Sequence, residues 1–185
     1  MIAKFANIIQ RLLGRDDTSR LEALRRKGLK LGKNFNPQPG WNIDFSHSWH
    51  IEIGDDVTFA PNVTILAHDA STWEFTGYTK VKNVVIGNKV FIGAGSIILP
   101  GVTIGDNAII GAGSVVTKDV SENSVFAGNP ARFIMPLDVY IDRERLKMNG
   151  ENCFGREYSE AENATAEQKK HVKQMARRHG TAFLE

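Results

Sequence analysis

A six-residue period runs through the middle of the chain and restricts its possible folds more than any other feature. Counted from Ile53, nine hexads begin with a large apolar residue: Ile53, Phe59, Ile65, Ile86, Ile92, Ile98, Ile104, Ile110 and Val116. Five second positions are glycine, which would cost a helix about 1 kcal/mol each, and the fifth positions are mostly small or β-branched. The period therefore predicts short flat strands joined at tight corners, where glycine allows a left-handed backbone.

Three such strands close one turn of a triangular coil, so side chains 18 residues apart should stack in the core. The expected pairs are Ile86 on Ile104, Ile92 on Ile110 and Ile98 on Val116. Upstream, the same register puts Trp41 and His47 in first positions and Phe45 and Ile51 in fifth positions. Downstream, the register slips by four residues after Val120 and resumes at Phe126.

The pattern predicts a mainly β fold, a parallel β-helix of hexapeptide repeats flanked by helices. We divide the chain into an N-terminal helical segment 1–30, a β-helix domain 31–135 and a C-terminal helical segment 136–185. Helices are expected over 2–13, over 18–28 with Thr18 or Ser19 as its cap and Gly28 as its end, over 137–148, and over 159–180 with Gly180 as its stop.

One corner departs from the period. Between Ile65 and Ile86 the chain has 15 more residues than one hexad needs, which predicts a protruding loop over 69–84. Trp73, Phe75 and Tyr78 give this loop a large apolar surface that needs a partner or a ligand. His68, the only histidine between residues 51 and 170, lies at its root. From the residues alone, His68 is either a catalytic group or a corner residue without a role.

Composition narrows the function classes. A net charge of +2 gives no indication of nucleic-acid binding. The single Cys153 excludes an internal disulfide and fits a reducing compartment. The N-terminus lacks a signal-peptide pattern, and no segment reaches the roughly 18 apolar residues of a membrane span. We expect a cytoplasmic protein without a transmembrane segment.

The hexads, the loop and the run "IGAGSVVTKDVSENSVFAGNPARFI" resemble the hexapeptide-repeat acyltransferases. The resemblance covers about residues 41–135 and is strongest to sugar O-acetyltransferases, namely galactoside and maltose acetyltransferases and enzymes that modify surface polysaccharides. It implies a left-handed β-helix, a homotrimer with active sites between subunits, and acetyl-CoA as co-substrate without a required metal. The acceptor it implies is a sugar or a polysaccharide precursor.

The resemblance also assigns residues. The stretch "IGDDVTFAPNVTILAHDAST" matches the family's approach to its catalytic histidine, which falls on His68. The family's coenzyme A contacts fall on Ala94, Ala112, Thr117, Lys118 and Arg132. An acidic sugar-binding residue of the galactoside branch falls near Ser48, so Ser48 is a candidate contact to the acceptor, and the lost acidic group argues against a galactoside acceptor. Trp73 and Tyr78 either cover the acceptor or pack on a neighbouring subunit.

The chemistry fits one histidine, because an imidazole with a pKa of about 6.5 can take the hydroxyl proton and return it to the leaving thiolate. A backbone N–H near Ala94 is expected to hold the oxyanion. The ring of His68 could be oriented by Asp69 or by a backbone carbonyl. Three other functions remain open: N-acetyl transfer to an amino sugar nucleotide or a drug, zinc-dependent hydration using His47, His50 and His68, and a non-enzymatic scaffold.

Overall fold

Short parallel strands wind in turn through three sheets. The computed structural model describes residues 17–185, and its strands are numbered here in chain order. The first sheet contains β1 (Lys30–Leu31), β4 (Ile51–Ile53), β9 (Val84–Ile86) and β12 (Thr103–Ile104). The second contains β2 (Asn36–Pro37), β5 (Thr58–Phe59), β10 (Phe91–Ile92), β13 (Ile109–Ile110), β15 (Ser124–Gly128) and the antiparallel β16 (Ala131–Pro136). The third contains β3 (Asn42–Ile43), β6 (Thr64–Ile65), β11 (Ile97–Ile98) and β14 (Val115–Val116).

The predicted stacking of the core is confirmed. Ile86 is in register with Ile104, Ile92 with Ile110, and Ile98 with Val116. All nine first positions are at most 3% exposed, so they form a continuous apolar interior. Phe126 is in register with Ile110, as the slipped frame predicts. Burial of this apolar column is the main favourable contribution to folding.

The glycines at second positions have a different role from the predicted one. The left-handed backbone occurs instead at fourth positions, at Asp56, Asn62, Lys89, Gly95, Gly101, Asn107 and Gly113. A Cβ on Gly93 would lie 2.5 Å from the Ala112 backbone nitrogen and 2.8 Å from its Cα. Glycine is therefore needed at position 93 because adjacent coils approach too closely for a side chain.

The predicted frame of the first coil is wrong. Ile43, not Trp41, is in register with Ile65, and the frame continues back through Pro37 and Leu31. Trp41 is buried two residues earlier, whereas Phe45 is 48% exposed and His47 lies outside the strands. Because apolar side chains alternate with polar ones here, Trp41 and Ile43 both fit an inward face, and the sequence does not choose between them. The spacing of ten from Ile43 to Ile53 adds four residues to one hexad.

Residues 44–50, called the 44–50 turn, accommodate these four additional residues. The turn ends in a 3₁₀ helix, Ser48–His50, directly before β4. Ile51 is buried two residues before Ile53, so its predicted fifth position is correct.

Residues 69–84, called the arm, are ordered by a hairpin at their root. Strand β7 (His68–Asp69) pairs antiparallel with β8 (Lys80–Val81), and a short helix, α2 (Trp73–Thr76), lies between them. Trp73, Phe75 and Tyr78 are more than half exposed, as the sequence predicts.

Helix α1 (Asp17–Arg26) packs Leu24 into the core. Thr18 and Ser19 lie inside this helix, so the prediction that one of them caps it is wrong. Gly28 follows the helix end with φ of +100°, a conformation that favours glycine. The helix expected over 2–13 lies outside the described residues.

The chain forms two compact units, which divide between Leu137 and Asp138. Helix α3 (Leu137–Arg145) begins at this boundary, and the second unit also contains a 3₁₀ helix, Arg156–Tyr158, and α4 (Ala166–His179). Helix α4 starts later than predicted because Thr165 and Gln168 form a capping box, and Gly180 ends it as expected. Strand β17 (Cys153–Phe154) pairs parallel with β18 (Phe183–Leu184). Within residues 17–185, no helix is long and apolar enough to span a membrane.

Candidate active site

The two insertions into the hexad period leave the triangular coil at the same corner. The 44–50 turn follows β3 and the arm follows β6, and these strands are neighbours in the third sheet. Since neighbouring strands are about 4.8 Å apart, the two insertions meet. Their side chains form the polar cluster described below.

His68 is held by a carboxylate from the other insertion. Its Nδ1 forms a short hydrogen bond with Oδ2 of Asp44, and the Asp44 residue is only 6% exposed. An ionised carboxylate only accepts hydrogen bonds, so the proton lies on Nδ1 of His68. This tautomer leaves Nε2 with the free electron pair that a general base requires.

The Asp44 carboxylate is in turn fixed by the backbone. The N–H groups of Ser46 and His47 donate to Oδ1 at 3.1 and 3.2 Å, and the N–H of Ala67 donates to Oδ2 at 3.1 Å. Burial raises the pKa of Asp44, but the hydrogen bonds from His68 and from the N–H groups of Ala67 and His47, together with the charge of His68, outweigh burial and lower it. Asp44 therefore stays ionised beside His68 at neutral pH.

Asp69 does not take part in this arrangement. Its Oδ2 lies 2.5 Å from Nζ of Lys80, and its Oδ1 accepts from the Ser71 N–H at 2.8 Å. Hydrogen bonds from Lys80 and Ser71 hold the pKa of the Asp69 carboxyl well below its usual range. Asp44 orients His68 in place of either candidate that the sequence offered. Asp44 lies 24 residues upstream of His68, in the first coil, whose predicted frame is wrong. The sequence therefore contains no indication of this role.

The 44–50 turn also brings two aromatic side chains to the cluster. The ring of His47 lies 4.6 Å from that of His68, and the ring of Trp49 lies 5.4 Å from that of His47, measured between centroids. Trp49 is 53% exposed. Between them, Ser48 is fully buried, so the predicted contact of Ser48 with a sugar has no accessible surface.

The described residues contain one group that could hold a metal, namely Asp44, His47 and His68, with ligand atoms within 4.8 Å of one another. The three-histidine arrangement considered from the sequence is not formed, because Nδ1 of His50 instead lies 2.6 Å from Oδ1 of Asn83. Each Asp44 oxygen already accepts two hydrogen bonds. A metal that took Nδ1 of His68 as a ligand would have to displace the hydrogen bond from His68 to Asp44.

The residues assigned to coenzyme A lie at two corners of the triangular coil. Ala94 and Ala112 are exposed and stacked between the second and third sheets, where the Gly113 N–H donates to the Ala94 carbonyl at 2.8 Å. Arg132 is exposed on β16, opposite Ala127. Thr117 and Lys118 are exposed after β14, at the same corner as His68. One chain therefore does not gather all five residues at His68.

Comparisons with known proteins find hexapeptide-repeat transferases and acetyltransferases. Residues 83–118 match the family model described as bacterial transferase hexapeptide (six repeats). A Dictyostelium discoideum protein provisionally named an acetyltransferase is 36% identical over 154 residues, which cover 75% of this chain and 81% of that protein. The structure of a galactoside acetyltransferase in complex with coenzyme A is 31% identical, with a TM-score of 0.53, and the match covers 71% of this chain and 75% of that one.

A shorter match is more similar in sequence. Protein CapG of Staphylococcus aureus is 50% identical over 99 residues, which cover 51% of this chain. The chain spans 58% of the length of CapG, so this match concerns only part of that protein.

Proposed function

Because the chain belongs to the bacterial hexapeptide-repeat transferase family, we propose that it transfers an acetyl group from acetyl-CoA to a hydroxyl of a saccharide. The observation that carries the proposal is the hydrogen bond between Nδ1 of His68 and the buried Asp44 carboxylate. It selects the tautomer with a free Nε2 at the root of the arm. The likeness to a galactoside acetyltransferase that binds coenzyme A supports both substrates.

In the proposed reaction, Nε2 of His68 removes the proton from the acceptor hydroxyl as its oxygen bonds to the acetyl carbon. The bond from that carbon to sulfur then breaks, and the imidazolium returns the proton to the thiolate. Asp44 stabilises the imidazolium without itself being protonated. General base catalysis of this kind contributes about 10²–10⁴ in rate.

Coenzyme A is proposed to lie along the column of Ala94 and Ala112. The close approach at Gly93 keeps this column narrow, and the small side chains leave space for a thin pantetheine arm. A backbone N–H near Ala94 would hold the oxyanion. Thr117, Lys118 and Arg132 would bind the polar end of the molecule, with the two cations pairing with phosphates.

The two-corner arrangement supports a shared site. Ala94 and Ala112 are separated from His68 by the width of the third sheet, because β11 runs between the two corners. A second copy of the chain could bring its own alanine corner to His68. We therefore propose a homotrimer with active sites between subunits and, as the family resemblance implies, a left-handed coil. Trp73 and Tyr78 on the exposed arm would then contact the acceptor or a neighbouring subunit.

The decisive experiment is a turnover screen of purified protein with acetyl-CoA and a panel of sugars, oligosaccharides and sugar nucleotides. Free thiol release is monitored, and the acetylated product is identified by mass spectrometry. We expect O-acetylation of at least one saccharide and its loss in His68→Ala. Acetylation of an amine in preference to every hydroxyl would overturn the proposed reaction class. Unchanged turnover in His68→Ala would overturn the assignment of the base.

A further inference from the structure

Three rings form a row that begins at the proposed base. His68, His47 and Trp49 follow one another at centroid distances of 4.6 and 5.4 Å. The last two come from the 44–50 turn, an insertion that the apolar core does not need. His47 lies directly beside the proposed base, and Trp49 lies beside His47.

His47 offers a hydrogen-bonding nitrogen beside the base. Its Nδ1 is buried and has no hydrogen-bond partner among the described protein atoms, with Oδ1 of Asp44 3.8 Å away. The side chain is 25% exposed, and Nε2 is the ring nitrogen left for a ligand. A hydroxyl group both donates and accepts hydrogen bonds, so Nε2 can bind a sugar hydroxyl in either tautomer of the ring.

Trp49 offers a flat apolar face beside His47. A Cβ on Gly28 would lie 2.8 Å from Cβ of Trp49, so the turn after α1 packs directly against Trp49 at its backbone and Cβ. The indole ring contacts the rings of His47 and His50, at centroid distances of 5.4 and 5.6 Å. Trp49 is nevertheless 53% exposed, and an aromatic side chain loses little conformational entropy when a ligand stacks on it.

We infer that His47 and Trp49 form the acceptor subsite, an inference that rests on the proposed acetyl transfer. A saccharide has a polar hydroxyl edge and an apolar face of C–H groups. The edge would place its reacting hydroxyl at Nε2 of His68 and a neighbouring hydroxyl at Nε2 of His47. The face would stack on Trp49. The preferred substrate class is therefore a saccharide with adjacent hydroxyls and an apolar ring face within reach of the indole.

Steady-state kinetics of the full-length protein test the inference. Methyl glucoside, methyl galactoside and maltose serve as acceptors for Trp49→Leu, Trp49→Phe, His47→Leu and His47→Gln. We expect the leucine variants to raise the acceptor KM about tenfold, with kcat and the acetyl-CoA KM within about twofold. The conservative variants should recover most of the loss. Phe91→Leu is the matched control, because Phe91 is an exposed aromatic on β10 and lies outside the row.

Binding is measured separately from turnover by tryptophan fluorescence. In Trp73→Phe protein, Trp49 is the exposed indole and Trp41 the buried one, and the Trp49→Phe/Trp73→Phe double variant gives the background. We expect a saturable signal with at least one of the three saccharides, weakened in His47→Leu. Such binding without turnover would support the subsite and refute the proposed reaction. Turnover with unchanged acceptor KM in both leucine variants would refute the subsite alone, as would the absence of saturable binding to all three.

Discussion

The regular coils and the corner that carries the two insertions differ in the regularity of their sequence and in the polarity of their buried side chains. From Ile86 to Val116 the hexads run without interruption, and every first position is apolar and buried. At the corner after β3 and β6, the chain adds four residues and then fifteen. There the buried side chain is a carboxylate, Asp44, next to two histidines. Apolar burial stabilises the coils, whereas burial of a charged group at the corner costs part of that stability.

The difference shows how a repetitive scaffold can hold a charge. An isolated buried carboxylate costs several kcal/mol, and the coils offer it no partner. The 44–50 turn supplies N–H donors from Ser46 and His47, and the root of the arm supplies Ala67 and His68. Neither insertion alone would satisfy Asp44. The site therefore depends on their emergence from adjacent coils at one corner.

The largest expected effect is at the corner, in His68→Ala. We expect kcat to fall about 10²–10⁴-fold because the general base is removed. Acetyl-CoA binding measured by calorimetry should change little, whereas the melting temperature should fall, because the buried Asp44 carboxylate loses one of its four hydrogen-bond donors. His50→Ala is the matched control, because His50 bonds to Asn83 rather than to Asp44. Equal losses in both variants would mean that the corner is damaged nonspecifically.

The next effect is in the regular coils, in Ile98→Ala. Ile98 is fully buried in the third sheet, so the cavity should lower the free energy of unfolding by about 2–5 kcal/mol. Urea denaturation followed by circular dichroism measures the change. The kcat of the folded fraction should be preserved. Ile97→Ala removes the adjacent, partly exposed side chain and should cost less; the reverse order would contradict the inward assignment of Ile98.

The regular coils could be predicted from the sequence because their constraint is local and repeated. From Ile86 to Val116 the hexads repeat the same contact with a coil 18 residues away, and all nine first positions support one frame. The arm was predictable for the same reason, as an interruption of a known period. The prediction that His68 is catalytic rests on the family resemblance, because a single histidine forms no repeated pattern from which a role could be inferred.

The chemistry of the corner could not be predicted, because it depends on contacts between two irregular segments. Trp41 and Ile43 are both buried, and choosing Trp41 as the first position concealed the 44–50 turn. Asp44 then had no predicted neighbour, and the nearer Asp69 was the obvious candidate for His68. Lys80, whose position depends on the hairpin, binds Asp69 instead.

A smaller effect is expected in Asp44→Asn. The amide has one acceptor oxygen where the carboxylate accepts four hydrogen bonds, and it no longer favours the proton on Nδ1 of His68. We expect kcat to fall about 10–100-fold while the KM for acetyl-CoA stays within about twofold. Asp69→Asn is the matched control and should retain most activity, because Asp69 faces Lys80. A larger loss in Asp69→Asn would show that Asp69, not Asp44, orients His68.

Lys118→Ala should act on substrate binding alone. Lys118 is exposed on the corner of His68, and pairing with a phosphate of acetyl-CoA is screened by salt. We expect a rise of about 3–10-fold in the KM for acetyl-CoA at low ionic strength, shrinking as salt is added, with kcat unchanged. Lys33→Ala removes an exposed lysine beside β1 and should have no such effect. A salt-independent change in Lys118→Ala would exclude an electrostatic contact.

The smallest effect should appear in acid, because burial opposes the hydrogen bonds that lower the pKa of Asp44. A carboxyl with a folded pKa below its unfolded value of about 3.9 stabilises the fold above that value, and this contribution disappears as pH falls through the folded pKa. The difference in unfolding free energy between the wild type and Asp44→Asn should thus shrink as the pH falls below about 4. Urea denaturation at each pH measures it, and subtraction of the two curves cancels the other carboxylates. A difference that widens on acidification would show that Asp44 is protonated in the folded protein, and the tautomer assigned to His68 would then lose its physical basis.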